Sequence, residues 1–177
     1  TLTARETWGG YYDVYNSAVA VNADGEQNLH HKMRLVIGVE AMPFTGFLDK
    51  FVDLGGITGQ LGRNDKAAVF DKGGVKCGPA ICYEGIYGDC FARFAREGAE
   101  VMLVMSNDGW WGNTPGHRRL FDYCRLRAIE TRRAIARSAN TGVSGFINAR
   151  GDIIQSLGWE KRGVLTQSIE VREEITT

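Results

Sequence analysis

The sequence predicts a layered α/β domain built on a mixed sheet. Three observations carry that expectation. Between residues 75 and 133 the chain reads strand, helix, strand, helix, with apolar runs alternating with amphipathic stretches. From residue 135 to 169 it reads as a β-meander. Its 23 glycines in 177 residues are about twice the usual share, which suits tight turns and close backbone approaches better than a helical bundle.

The elements follow in order. Residues 15–22 alternate apolar and small side chains and read as a strand, closed by the turn signal Asn22-Ala-Asp-Gly25. Gly25 to Lys32 is polar, and Arg34 to Val39 reads as the next strand, ended by Pro43. Phe47, Leu48, Phe51 and Leu54 share one side of a short helix expected over 44–54. Residues 55–74 read as surface loop with a short strand near 67–70, and residues 75–82 as a strand. A helix is expected over 86–97, with Phe91, Phe94 and Ala95 as its apolar stripe and Gly98 as its stop. Val101 to Met105 has the continuous apolar character of a buried strand, and residues 106–112 form a loop at its carboxyl end. Leu120, Cys124 and Ala128 recur at helical spacing within a helix over 117–133. Strands are expected at 135–138, 143–147, 153–157 and 164–169, with Asn148-Ala-Arg-Gly151 as a hairpin turn.

Composition narrows the function. Apolar residues make up 44% and charged residues 24%, which excludes a disordered tail, a collagen-like fibre and a coiled-coil rod. Lys plus Arg equals Asp plus Glu at 21 each, so nucleic acid is not an expected partner. No run reaches the roughly 18 apolar residues of a membrane-spanning helix. The chain begins at Thr1 with no charged-then-apolar leader, as a cut or processed piece does. Cys77, Cys82, Cys90 and Cys124 form no Cys-x-x-Cys pair and have no His cluster nearby, so no metal site is expected.

Several residues are candidates for chemistry. Cys82, with Tyr83 and Glu84, sits where a strand runs into a helix, a geometry that exposes a nucleophile; the alternative is a core cysteine at a strand end. Lys32, just ahead of a strand, reads either as a partner for a thiolate or as a solvated lysine. Glu40, eight residues on, reads as its anchor, as a proton carrier, or as a charged strand end. Trp110 and Trp111, flanked by glycines, either line an apolar pocket or touch lipid, or pin the loop to the core. Residues 117–137 carry seven arginines against two acids, which reads as a solvated face or as a phosphate-binding face.

The order of these pieces is more specific than any one of them. Lys32 with Leu35-Val36 and Gly38-x-Glu40, then Ile81-Cys82-Tyr83-Glu84, then Ser106-Asn-Asp-Gly-Trp-x-Gly112, resembles the carbon–nitrogen hydrolase (nitrilase) superfamily. Arg125-Leu-Arg-Ala-Ile-Glu130, Arg137-Ser-Ala-Asn-Thr-Gly142 and the Gly151-Asp hairpin extend the match from about Tyr15 to Glu170. Within the superfamily the pattern is most similar to the branch that acylates bacterial lipoproteins. Val36-Ile-Gly-Val-Glu40 differs from the branch's commoner Val-Pro-Phe-Gly-Glu but keeps the Lys-to-Glu spacing of eight.

The resemblance implies a four-layer α-β-β-α sandwich. It implies Cys82 as nucleophile, Lys32 as the catalytic lysine and Glu40 as the supporting glutamate, with Tyr83, Glu84, Trp110 and Trp111 on the substrate side and no cofactor. It further implies a phospholipid acyl donor, a thioester on the cysteine, and the N-terminal cysteine amine of an apolipoprotein as acceptor. Localisation would be the bacterial inner membrane with the catalytic domain facing the periplasm, held by a membrane domain outside this chain. Residues 1–177 would be a partial domain lacking its first strands and helix. Its general-base Glu would lie upstream, since neither Glu6 nor Glu26 has a matching context, and the piece alone would be inactive. A soluble amidase cleaving a small C–N bond and a non-catalytic acyl-binding module are the alternative readings.

Overall fold

Parallel pairing of the central apolar runs builds the larger of two sheets. The computed structural model describes residues 1–6, 12–37, 40–41 and 61–174. Strands β4 (Phe70–Lys72), β5 (Val75–Ile81), β6 (Val101–Ser106), β7 (Ala134–Ala139), β8 (Ser144–Ile147) and β9 (Ile153–Leu157) lie side by side in chain order. β5, β6 and β7 are parallel to one another, whereas β4, β8 and β9 join antiparallel. The crossovers carry helices α1 (Gly88–Arg96) and α2 (Pro115–Thr131), as parallel strands require.

Period-two alternation sorts the sheet's two faces. Ala80, Met102, Val104, Ile135 and Ile147 are buried against Phe91 and Phe94 of α1 and Phe121, Cys124 and Ala128 of α2. Each fully buried phenylalanine contributes about 2–3 kcal/mol. Gly98 ends the first crossover helix region with φ +88°, a left-handed conformation that suits glycine. Thr114 caps α2 by accepting a hydrogen bond from the Gly116 N–H, Pro115 takes the first helical position, and Arg132 closes the helix at φ +51°.

A smaller antiparallel sheet packs by the opposite face. It comprises β1 (Leu2–Glu6), β2 (Tyr12–Val21) and β3 (Gln27–His31), with β2 central. Ala18 of β2 meets Phe70 and Ile81 of the larger sheet. Helices, larger sheet and smaller sheet thus stack as successive layers.

Four expectations change. Of the strand expected at 34–39, the described residues 34–37 form none, and the strand beside β2 is β3 at Gln27–His31, because the turn at Asn22–Glu26 folds that polar segment back along β2 in a hairpin register, Ser17 opposite His31. Lys32 therefore follows a strand instead of preceding one, and it pairs with Glu40 through side chains. Residues 164–169 keep an alternating exposure but form no strand, since no neighbouring strand among the described residues supplies a ladder. The helix expected over 86–97 begins with a separate 3-10 turn, Cys82–Ile86, before α1 starts at Gly88. β1 has no counterpart in the sequence reading. The helix expected over 44–54 lies outside the described residues.

Candidate active site

The carboxyl ends of β5, β6 and β7 point the same way, and each leads into a loop. Cys82 follows β5 directly, Asn107 follows β6 and Asn140 follows β7. Together with β2, Lys32, Val36 and Glu40 they line a cavity of about 770 Å³. Lys32, Glu40, Cys82, Tyr83, Trp110 and Trp111 all line it. Six of the seven site residues expected from sequence thus converge on one space.

Cys82 has φ +52°, a left-handed conformation unusual for a residue with a β-carbon. Such strain persists where surrounding structure over-determines it. Here it turns the chain sharply out of β5 and leaves the thiol half-buried, with the S–H donating to the Asn107 carbonyl at 3.9 Å. The other three thiols are buried. Burial pushes Cys90 up to about 12 and Cys124 up to about 11, and raises Cys77 as well. Alkylation at pH 7.5 is therefore expected to modify Cys82 first, with Cys77, Cys90 and Cys124 reacting only as the protein opens; peptide mapping after iodoacetamide treatment reads the order.

Lys32 is almost fully buried, 1% exposed, and its ammonium donates to both Glu40 oxygens, at 2.9 and 2.6 Å. Glu40 also accepts from Asn16 Nδ2 at 2.7 Å and from the Val36 N–H at 2.8 Å. Burial works to raise the Glu40 carboxyl, but the bonds from Lys32, Val36 and Asn16, with the Lys32 charge, outweigh it and hold the group below the usual carboxylate value. Glu40 is thus a committed anion. Two of the three ammonium protons go to it.

Glu84 departs from expectation. It does not line the cavity; its carboxylate is fully buried. Oε1 accepts from the Met33 N–H at 2.6 Å and Oε2 from the Ile81 N–H at 2.7 Å. Met33 follows Lys32 and Ile81 precedes Cys82, so one carboxylate ties the lysine's backbone to the cysteine's. The substrate-side expectation for Glu84 is corrected to this positioning contact, for the physical reason that a buried carboxylate needs donors and finds them in the backbone. Glu84→Gln offers one of the two N–H groups an NH2 instead of an acceptor. A stability loss of about 2–3 kcal/mol is expected, read as a lower urea midpoint at unchanged slope.

Asn16 is not legible as a site residue from the sequence, and Asn107 is legible only as part of the 106–112 motif, without a role of its own. Asn16 orients Glu40 and the Asn107 carbonyl faces the thiol, contacts that depend on strands brought together by folding. Glu6 and Glu26 are exposed and do not line the cavity. The arginine-rich helix is partly structural: Arg127 is mostly buried, donating to the Ile86 carbonyl and to Glu130 at 2.6 Å.

The sequence profile of the carbon–nitrogen hydrolase family matches residues 2–175. The chain belongs to that family. It is 33% identical to a protein named apolipoprotein N-acyltransferase from Chlorobaculum tepidum, over 95% of this chain and 33% of the relative. A protein of the same name from Sinorhizobium medicae is 36% identical over 85% of this chain and 29% of the relative. The chain therefore spans about a third of the length of these relatives. Among solved structures, a carbon–nitrogen hydrolase from Helicobacter pylori superposes with a TM-score of 0.62 at 17% identity, covering 89% of this chain and 56% of that one. The glutamine-dependent NAD+ synthetase of Acinetobacter baumannii superposes at 0.64 with 18% identity, covering 92% and 29%. The fold of this family member is accordingly nitrilase-like, two sheets with helices packed outside.

Proposed function

We propose that this site performs acyl transfer from a phospholipid, through a Cys82 thioester, to the N-terminal amine of an apolipoprotein. The observation that carries the reading is the single cavity in which a half-buried, left-handed cysteine, a buried Lys32–Glu40 pair and two neighbouring tryptophans converge. The relatives named apolipoprotein N-acyltransferase favour this chemistry over hydrolysis of a small amide.

The chemistry balances in two steps. The Cys82 thiolate attacks the ester carbonyl of the donor, the C–O bond breaks, and the leaving oxygen takes up the proton that the thiol lost. The acceptor amine then attacks the thioester carbonyl, the C–S bond breaks, and the amine's proton passes to the departing sulfur, which regenerates the Cys82 thiol. Lys32, which lines the same cavity as Cys82, stabilises the tetrahedral oxyanion by its charge. Glu40 holds that ammonium in place and, being paired, does not itself act as base. Trp110 and Trp111, 74% and 42% exposed, provide apolar surface at the cavity for an acyl chain. Among the described residues no helix is long and apolar enough to cross a membrane. In this proposal the acyl donor is reached at the periplasmic face of the bacterial inner membrane.

The test offers the full gene product a long-chain activated acyl ester and maps the adduct by intact mass and peptide sequencing. Acyl mass at Cys82, released by an N-terminal cysteine peptide with amide formation, supports the reading. Hydrolysis of small amides with no acyl-chain preference would establish the amidase alternative. Equal labelling of all four cysteines would overturn the nucleophile assignment.

A further inference from the structure

Asp108 and Arg137 form a buried ion pair that the chemistry above does not use. Their side chains are 0% and 1% exposed. Arg137 Nη2 donates to both Asp108 oxygens, at 3.1 and 2.8 Å, and Nη1 donates to the Val143 carbonyl. Ser106 donates its hydroxyl to Asp108 Oδ1 at 2.5 Å. Gly142 closes the other side so tightly that a β-carbon there would lie 1.9 Å from Asp108 Oδ2.

The surrounding bonds tie two strand ends together. The Asp108 N–H donates to Asn140 Oδ1 at 3.1 Å, and Asn140 Nδ2 donates to Asn107 Oδ1 at 2.7 Å. The Asn140 N–H donates to the Ser106 carbonyl at 3.2 Å. The loop held in this way presents the Asn107 carbonyl to the Cys82 thiol and carries Trp110 and Trp111 along the cavity. A buried ion pair adds little net stability over well-packed apolar side chains, so its value lies in the geometry it enforces.

We propose that the Asp108–Arg137 pair is a positioning clamp that sets the 106–112 loop, and with it the Asn107 carbonyl and the tryptophan wall, against the Cys82 thiol. The clamp rests on the reading of Cys82 as the reacting group. Neither residue touches substrate.

The experiment measures acylation of Cys82 in the full gene product by a long-chain activated acyl ester, for wild type, Asp108→Asn and Ser106→Ala, beside iodoacetamide alkylation of Cys82 and thermal melting. Asp108→Asn is expected to lower the saturating acylation rate about tenfold while KM stays within about twofold, because a small displacement of a positioned group is felt mainly in the reacting geometry. Ser106→Ala, which keeps the ion pair and removes one bond to it, is expected to lower the same rate about threefold. A folded Asp108→Asn protein with a lower melting temperature but an unchanged saturating rate would overturn the clamp. So would an unfolded Asp108→Asn protein together with a wild-type rate in Ser106→Ala. If wild type shows no acyl mass at Cys82, the nucleophile reading fails and alkylation decides the clamp separately. In that case a changed Cys82 alkylation rate in Asp108→Asn retains the positioning role, and an unchanged one removes it.

Discussion

Cys82→Ala is expected to lower the proposed acyl transfer by about 10⁴-fold or more, because the proposed covalent route disappears and no other thiol replaces it. Cys77, Cys90 and Cys124 are buried, and their thiols are all held above the ordinary value. Cys82→Ser is expected to recover little, since a serine hydroxyl holds its proton far more tightly than a thiol at neutral pH. The fold should survive both changes. Position 82 is half-buried, and alanine accepts the same left-handed turn at φ +52° with similar strain. Steady-state acyl transfer with a thermal melt separates the two effects: activity collapses while the melting temperature shifts by only a few degrees. Substantial turnover by a folded Cys82→Ala protein would remove the thioester from the scheme.

Lys32→Met carries the second large effect. Methionine keeps most of the apolar stem and removes the charge, so the change isolates electrostatics from packing. In the proposed mechanism the oxyanion loses its cation, and a fall of about 10³-fold in the saturating rate is expected. Glu40 simultaneously loses the partner that holds it below the usual carboxylate value, keeping only Asn16 and the Val36 N–H. The pH dependence has a definite sign. A carboxylate whose folded value is depressed contributes stability that is fully present above its unfolded value of 4.5 and is lost as pH falls through the lower folded value. The stability gap between wild type and Lys32→Met should therefore widen from pH 4 to pH 6 and then level off. Urea unfolding across that range measures it. A gap independent of pH would mean that the pair is not coupled to folding.

Much of the fold was legible because its signals are local. The continuous apolar run at Val101–Met105 has the character of a buried strand, and it forms β6 within the larger sheet. Leu120, Cys124 and Ala128 at helical spacing mark the buried face of α2. The strand β9 at Ile153–Leu157 has the expected bounds. The β3 hairpin was hidden because Gln27–His31 is polar. Its pairing comes from β2 across a turn, and its burial is confined to His30 within an otherwise exposed or half-buried strand. The extended stretch at 164–169 misled in the opposite sense, since alternation describes a strand's faces but not whether a neighbour is present to pair with it.

The same division runs through the site. Sequence by itself determined which residue types are present and in what order: a lysine and a glutamate eight apart, a cysteine where a strand meets a turn, and a tryptophan pair bounded by glycines. Only the tertiary structure decided their partners. It placed both Glu40 oxygens on the Lys32 ammonium, moved Glu84 from the substrate side into the wall between Met33 and Ile81, and buried Asp108 against Arg137. A short pattern reports local backbone preference and side-chain chemistry. A buried carboxylate, in contrast, takes whichever donors the folded chain brings within about 3 Å, and those donors lie up to dozens of residues away.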